Sequence, residues 1–427
     1  MRARIAATAI SLGAAALFVL GACTGPQVPT VEVSPDRPLA SDPPAARGMS
    51  NLQRAIAGLE GPAIVSLARG HYDLLPAEFT DSSCGNCEDP TEHVPATVGL
   101  VVQGIGIRIV GADPRTTIIH TGAGYGILFD GCDGCALERV TVTGGVRDPD
   151  GRATDAAVVV RDGAVELSAC RIADNIGDSA TVARVVVGIA GVVGRERASI
   201  DLHTCEITRN SWDGVALYRG AVAEIRDNVI DGVDKARGAQ VGGGRGVGIG
   251  LTWDARATVE RNLVTRYWKG IGVFVDAQAT VRENVVEDML TWGIAFWGAG
   301  DGRPVATIER NVIFGTGACG VMIAVDSVGA EPPGALLGNL LIQTGQDERY
   351  DSGEPYCTQR PVALEAVPEG FVIANNVFHD NRQPGDAPRV QDVDRDGFLE
   401  RARALLASLR QHSALHRAVL FQTFPIP

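Results

Sequence analysis

The chain has 427 residues, 45% of them hydrophobic and 21% charged, with a formal net charge of −13. That length holds a large core, and the acidic balance argues against nucleic acid as a partner. Gly is abundant at 52 residues while aromatics make up 5%. Regular turns account for both, and the apolar fraction is too high for disorder.

At the N-terminus, Arg2 and Arg4 precede an apolar run over residues 5–19. The run is short and close to the start, so it reads as an export signal rather than a membrane span. It leads into Leu20-Gly21-Ala22-Cys23, which resembles the lipobox of bacterial lipoproteins. The resemblance implies cleavage before Cys23 and lipidation of Cys23. The chain would then be anchored to a membrane of the bacterial cell envelope without spanning it. Residues 1–22 are accordingly expected to be a signal peptide. Residues 23–48, with Pro26, Pro29, Pro35, Pro38, Pro43 and Pro44, are expected to be a tether that buries little.

Beyond the tether, Leu52, Ala55, Ile56 and Leu59 have helical spacing behind Ser50 or Asn51 as N-cap. From about residue 136 one pattern then recurs. Leu167-Ser-Ala-Cys170-Arg-Ile is answered by Leu202-His-Thr-Cys205-Glu-Ile, and then by Ile225-Arg-Asp-Asn228-Val-Ile. The shared position continues through Asn262, Asn284, Asn311, Asn339 and Asn376. A period of this size, with insertions, marks a solenoid. The short alternating segments within each unit, such as residues 271–275, mark strands. Stacked coils of short strands place equivalent residues above one another, so the Asn column is expected to bond from coil to coil. Phe398, Leu405, Leu406 and Leu409 suggest a second helix. The expected organisation is an all-β right-handed parallel β-helix over 49–397, with its N-terminal cap, and a C-terminal capping helix and tail over 398–427. Short capping helices thus stand at both ends.

Gly106-Ile-Arg-Ile-Val-Gly-Ala, Gly124-Tyr-Gly-Ile-Leu-Phe and Val140-Thr-Val-Thr-Gly-Gly resemble the opening coils of pectin lyase-like right-handed β-helix proteins. The resemblance spans roughly residues 60–380 and implies the architecture. It does not choose an activity, because that superfamily holds lyases, hydrolases, epimerases, tailspikes and non-catalytic proteins. The Asn-Thr-Asp, Gly-His-Gly, Trp-Ile-Asp-His and Asp-Pro-His-Asp signatures of its known enzymes are missing from the sequence.

Function is sought where the chain concentrates unusual residues. All five Trp (Trp212, Trp253, Trp268, Trp292, Trp297) fall between 212 and 297. Several units there share a strand opening with Gly, taken to begin at Gly214, Gly246, Gly270, Gly293 and Gly320. In that register the outward positions beside the glycine are small, giving a flat floor. Tyr218, Phe274 and Trp297 form an aromatic wall, and Asp213, Arg245 and Lys269 share a charged column. Trp212, Trp253, Asp254, Trp268, Asp276 and Trp292 lie near the strand ends. Such a face suits an extended polysaccharide. The rival readings are an accessory or structural β-helix whose Trp residues pack under loops, and a calcium-stabilised adhesin. Lys235 and Lys269 are the only two Lys in the chain, which suggests point charges retained for a purpose. Lyase chemistry would draw on Lys269 and Arg245. Hydrolase chemistry would need Asp213 paired with a second carboxylate such as Asp254 or Asp234.

Nine Cys leave eight after Cys23. Cys84-Gly-Asn-Cys87 and Cys132-Asp-Gly-Cys135 raise disulfides, buried thiols or a four-thiolate zinc site, with zinc disfavoured by the wide gap between the pairs. Asp392, Asp394, Asp396 and Gly397 match the first half of a calcium loop. Arg403 stands where its bidentate Glu belongs.

Overall fold

The structure is a computed structural model that describes residues 28–37, 48–178, 180–181, 187–232, 246–326, 332–348, 358–383, 395–409 and Ala418. Each turn of the chain lays one short strand into each of three sheets, of 12, 11 and 11 strands. Arg256–Glu260, Leu263–Thr265 and Lys269–Phe274 form one such coil, and Gln278–Arg282, Val285–Glu287 and Ile294–Trp297 the next. Neighbouring coils pair in parallel, with Ala257 on Ala279, Leu263 on Val285 and Ile271 on Ile294. The winding is right-handed, as parallel crossover connections nearly always are. Among the described strands Ala77–Asp81 alone runs antiparallel, against Val94–Ile105 in the third sheet.

The period-2 alternation puts Val259, Val264, Ile271 and Val273 inside, stacked with Val281, Val286, Ile294 and Phe296, and all of these are fully buried. Corners follow from two local features. A residue in the left-handed region (Asp227, Arg261, Glu283 or Arg310) turns the chain, and the next residue is an inward Asn. Asn284 Nδ2 donates to the Val259 carbonyl at 2.8 Å and to Asn311 Oδ1 at 3.0 Å, while Asn284 Oδ1 accepts from the Asn262 N–H at 2.9 Å. The expected ladder therefore forms, and each buried Asn satisfies groups that the corner would otherwise orphan. Cys170 and Cys205 continue the column as free, buried thiols. The Cys205 N–H donates to Asn228 Oδ1 and the Cys205 thiol to the Leu167 carbonyl. A second ladder step, Asn210 against Asn175 at 2.8 Å, lies at the next corner. Its signal in the sequence is that each Asn follows its column Cys by the same offset.

Both helices are present. Asn51–Ala57 carries a capping box between Ser50 and Gln53 and buries Leu52 in the core. Arg395–Leu409 meets the last strand of the second sheet. Its Leu406 joins Leu263, Val285, Val312, Leu340 and Val377, an apolar row on the outer side of that sheet. The helix therefore covers a flank of the final coils.

The tether differs from expectation. Thr30–Val33 pairs in parallel with Ala63–Leu67, buries Val33, and is followed by an ion pair from Arg37 to Asp73 at 2.5 Å. The alternation in Thr30-Val-Glu-Val33 is enough to add a strand to an open sheet edge, which the surrounding prolines conceal.

Candidate functional site

The outer side of the third sheet carries the candidate residues, and pairing fixes their columns. Val215 lies on Ile249, and Val247 on Lys269. The glycine that opens this strand is therefore Gly248, not Gly246. The charged column reads Asp213, Val247, Lys269, Trp292, Cys319, and the small column Ala216, Gly250, Gly272, Ala295, Met322. Arg245 does not share the column with Asp213 and lies, with Lys235 and Asp234, outside the described residues. The cause of the slip is plain in Gly242-Gly-Gly-Arg-Gly-Val-Gly-Ile-Gly250, where glycine at almost every second position leaves the strand's start unmarked.

Lys269 is the centre of the face. Its Nζ lies 3.9 Å from the ring centroid of Trp268, 4.6 Å from Trp292, 5.6 Å from Trp297 and 5.8 Å from Phe274. Only 7% of the residue is exposed, and among the described residues no carboxylate stands within ion-pair distance. Burial pushes its pKa down to about 8, with Asp213 opposing. Two coils away Asp213 is also buried, and burial pushes its pKa up to about 7 against the opposing effects of the Val247 N–H and Lys269. The Val247 N–H donates to Asp213 Oδ1 at 2.6 Å. Beside the cage, the indole N–H of Trp268 is buried without a hydrogen-bond partner.

The aromatic wall is real but falls into two groups. Phe274 and Trp297 are half-buried and meet edge-on, as do Trp292 and Trp297. Tyr218 and Trp253 form the other group, with the Arg219 guanidinium 4.2 Å over the Trp253 ring. Trp212 is half-buried at the corner before Asp213. The floor is not bare. A Cβ on Gly272 would fall 2.1 Å from the Phe274 ring, and one on Gly250 would meet Val247 at 3.6 Å, so both side chains fold over it.

The expected pairing of Asp213 with Asp254 does not assemble, and the alternative partner, Asp234, lies outside the described residues. Asp254 is exposed and Asp276 accepts from the Arg303 N–H at 2.9 Å. Both lie at the opposite end of the strand, seven residues beyond Val247 and Lys269, roughly 20 Å at about 3.3 Å per residue. That exceeds the spacing of paired glycosidase carboxylates.

One wall of the face was not foreseen. Cys84, in a loop after Asp81, joins the buried cluster on this side of the sheet that also holds Ala216 and Tyr218, and Cys87 and Trp253 pack against that cluster. Cys84 and Cys87 are bonded to each other, which removes them from any thiolate zinc set. Beneath them Arg195, fully buried, donates to Asp81 at 2.9 Å, to the Tyr125 hydroxyl at 3.2 Å and to the Ser83 carbonyl at 2.6 Å. Arg219 donates to the Cys87 carbonyl. Of the calcium candidates, Asp396 is exposed in the first turn of the last helix, while Asp392 and Asp394 lie outside the described residues.

Residues 186–331 match the family model described as "Right handed beta helix region". Together with the three stacked parallel sheets, this shows that the chain folds as a right-handed parallel β-helix. No curated protein matches the sequence. Among solved structures, the A-module of mannuronan C-5 epimerase AlgE4 from Azotobacter vinelandii is similar at 14% identity and a TM-score of 0.44, over 81% of this chain and 95% of that one. The Dettilon tailspike protein is similar at 14% and 0.49, over 77% and 58%. A mannuronic acid specific polysaccharide family 6 lyase from human gut microbiota is similar at 12% and 0.42, over 87% and 95%. Likenesses this distant describe the coil, and the activities in those names belong to those proteins.

Proposed function

We propose that the protein binds a polysaccharide across the outer side of the third sheet, between residues 212 and 300, with Lys269 as the charged centre. The observation that carries this reading is the ammonium held among four aromatic rings, with no carboxylate within ion-pair distance among the described residues. Cation–π contacts return part of the lost hydration, and an anionic group on a ligand would return more. The half-buried rings of Phe274, Trp297 and Trp253 offer apolar faces on which sugar rings stack. If the ligand is also processed, proton transfer fits this site better than two-carboxylate hydrolysis, because Lys269 and Asp213 both titrate near neutrality. We also propose that the chain is exported and held in the cell envelope by acyl chains on Cys23, a reading that rests on residues 1–23 alone.

The accessory, non-catalytic reading has its own support. Trp292 is 2% exposed, and Phe274 and Val247 already occupy the floor. Trp fluorescence of the Cys23→Ser protein, titrated with neutral and uronate-containing glycans, separates the two. Binding predicts a saturable change with an acidic glycan that Lys269→Met weakens at least tenfold. No change with any glycan would sink the binding reading and leave the scaffold.

A further inference from the structure

We infer that Cys132 and Cys135 form a second disulfide-forming site, closing to each other as Cys84 and Cys87 do. Both lie in a turn, Gly131-Cys-Asp-Gly-Cys135, that carries the chain from the third sheet into the first. Gly131 and Gly134 take φ values of 64° and 65°, and a Cβ on either would meet nothing within 4 Å. These glycines therefore serve backbone conformation and not close packing. The conformation they impose turns both thiols inward, onto the coil below. Cys132 and Cys135 are 0% and 1% exposed, so no outside thiol reaches them in the folded protein. The sequence separation matches that of the bonded pair.

The other adjacent thiols differ. Cys170 and Cys205 stand on separate coils, and each makes backbone hydrogen bonds in the Asn column. Cys132 and Cys135 instead donate to the carbonyls of Val102, at 3.1 Å, and Gly104, at 3.7 Å, where the strand pairing shifts register. Closing the bond gives up those two weak S–H donors.

The reaction requires a disulfide-bearing carrier and takes place during folding, before the turn is buried. The Cys135 thiolate attacks one carrier sulfur and releases the other as a thiol. The Cys132 thiolate then displaces the remaining carrier sulfur. The products are one protein disulfide and two carrier thiols, which take the two protons and two electrons given up by the cysteines.

Trypsin isolates the site, because residues 116–139 contain Cys132 and Cys135 and no internal Lys or Arg. The full chain is refolded with a mixture of reduced and oxidised glutathione, denatured, treated with iodoacetamide and digested. The expected 116–139 peptide is unalkylated and lighter than the dithiol by two hydrogen atoms, and Cys135→Ser makes Cys132 alkylatable. The peptide of residues 70–108, with Cys84 and Cys87, reports that oxidation occurred. A doubly alkylated 116–139 peptide beside a closed 70–108 peptide overturns the inference, as does a glutathione adduct on either cysteine.

Discussion

Lys269 ties the stability of the fold to the binding proposed for it. Its folded pKa, about 8, lies below the ordinary 10.5. The unfolded chain therefore holds the proton more tightly, and stability rises with pH between those values. Below pH 8 the full cost of a buried cation is present, on the order of 3 kcal/mol for a shift of this size. Asp213 has the opposite sign. With its pKa raised from 3.8 to about 7, it favours the folded state in acid and loses that contribution as pH rises through this window. Lys269→Met should thus raise the unfolding midpoint at pH 7, with the gain over the unaltered protein narrowing between pH 8 and 10.5. Thermal melts of both proteins across that range check it, and a gap that does not narrow with pH rejects the assignment. The substitution expected to stabilise the fold is the one expected to weaken the proposed binding, as for a residue kept for a ligand.

This residue and its neighbours were only partly legible in the sequence. The scarcity of Lys and the clustering of Trp pointed to the region. The cage did not show, because Trp268 and Phe274 reach Lys269 from opposite ends of its own strand and Trp292 from the next coil. The collapse of Phe274 onto Gly272 was equally hidden. A small residue in a column reads as open floor until the side chain two places along is known to lie on it.

Among elements, the corner column was the most readable feature. Asn at one position in coil after coil has few explanations other than a buried ladder, and the ladder is there. What sequence could not show is that Cys170 and Cys205 substitute for Asn by bonding the same backbone groups. Asn284→Ala should cost roughly 2–4 kcal/mol, since it leaves the buried Asn262 N–H unpaired and a cavity beside it. Cys205→Asn should be neutral or stabilising, because it extends the same ladder by one step. Urea unfolding of the two variants tests both, and a loss at Cys205→Asn as large as that at Asn284→Ala would mean that the thiols occupy a different niche.

Other element-level features lie beyond sequence reasoning because they depend on register. On the outside of the same corners, Asp227, Arg261, Glu283 and Arg310 alternate in charge from one coil to the next. Asp227 pairs with Arg261 at 3.0 Å and Glu283 with Arg310 at 3.1 Å. Such exposed pairs contribute little individually, but the alternation disfavours a coil slipping past its neighbour, where like charges would meet. The Arg195 network joins residues more than a hundred positions apart. Gly85 is its counterpart, because a Cβ there would fall 2.7 Å from the Arg195 side chain.

For the whole molecule, the three sheets form one continuous core from Val33 to Phe378. No described helix is long and apolar enough to cross a membrane, and the attachment proposed above rests on Cys23. Cys23→Ser should move the protein from the membrane pellet to the soluble fraction of the producing cell without changing its unfolding midpoint. Retention in the pellet would place the attachment elsewhere.

The strand at Thr30–Val33 bears on posture. With residues 23–48 as a free spacer, the body could roam tens of ångströms from an acylated Cys23. With Thr30 fixed in the first coil, only the few residues after Cys23 remain, and they span no more than about 25 Å when fully extended. The solenoid would then stand with its N-terminal coil at the lipid headgroups. The caged lysine would ride several coils higher, at about 4.8 Å per coil, like a fixture set part-way up a short post and facing sideways across the envelope.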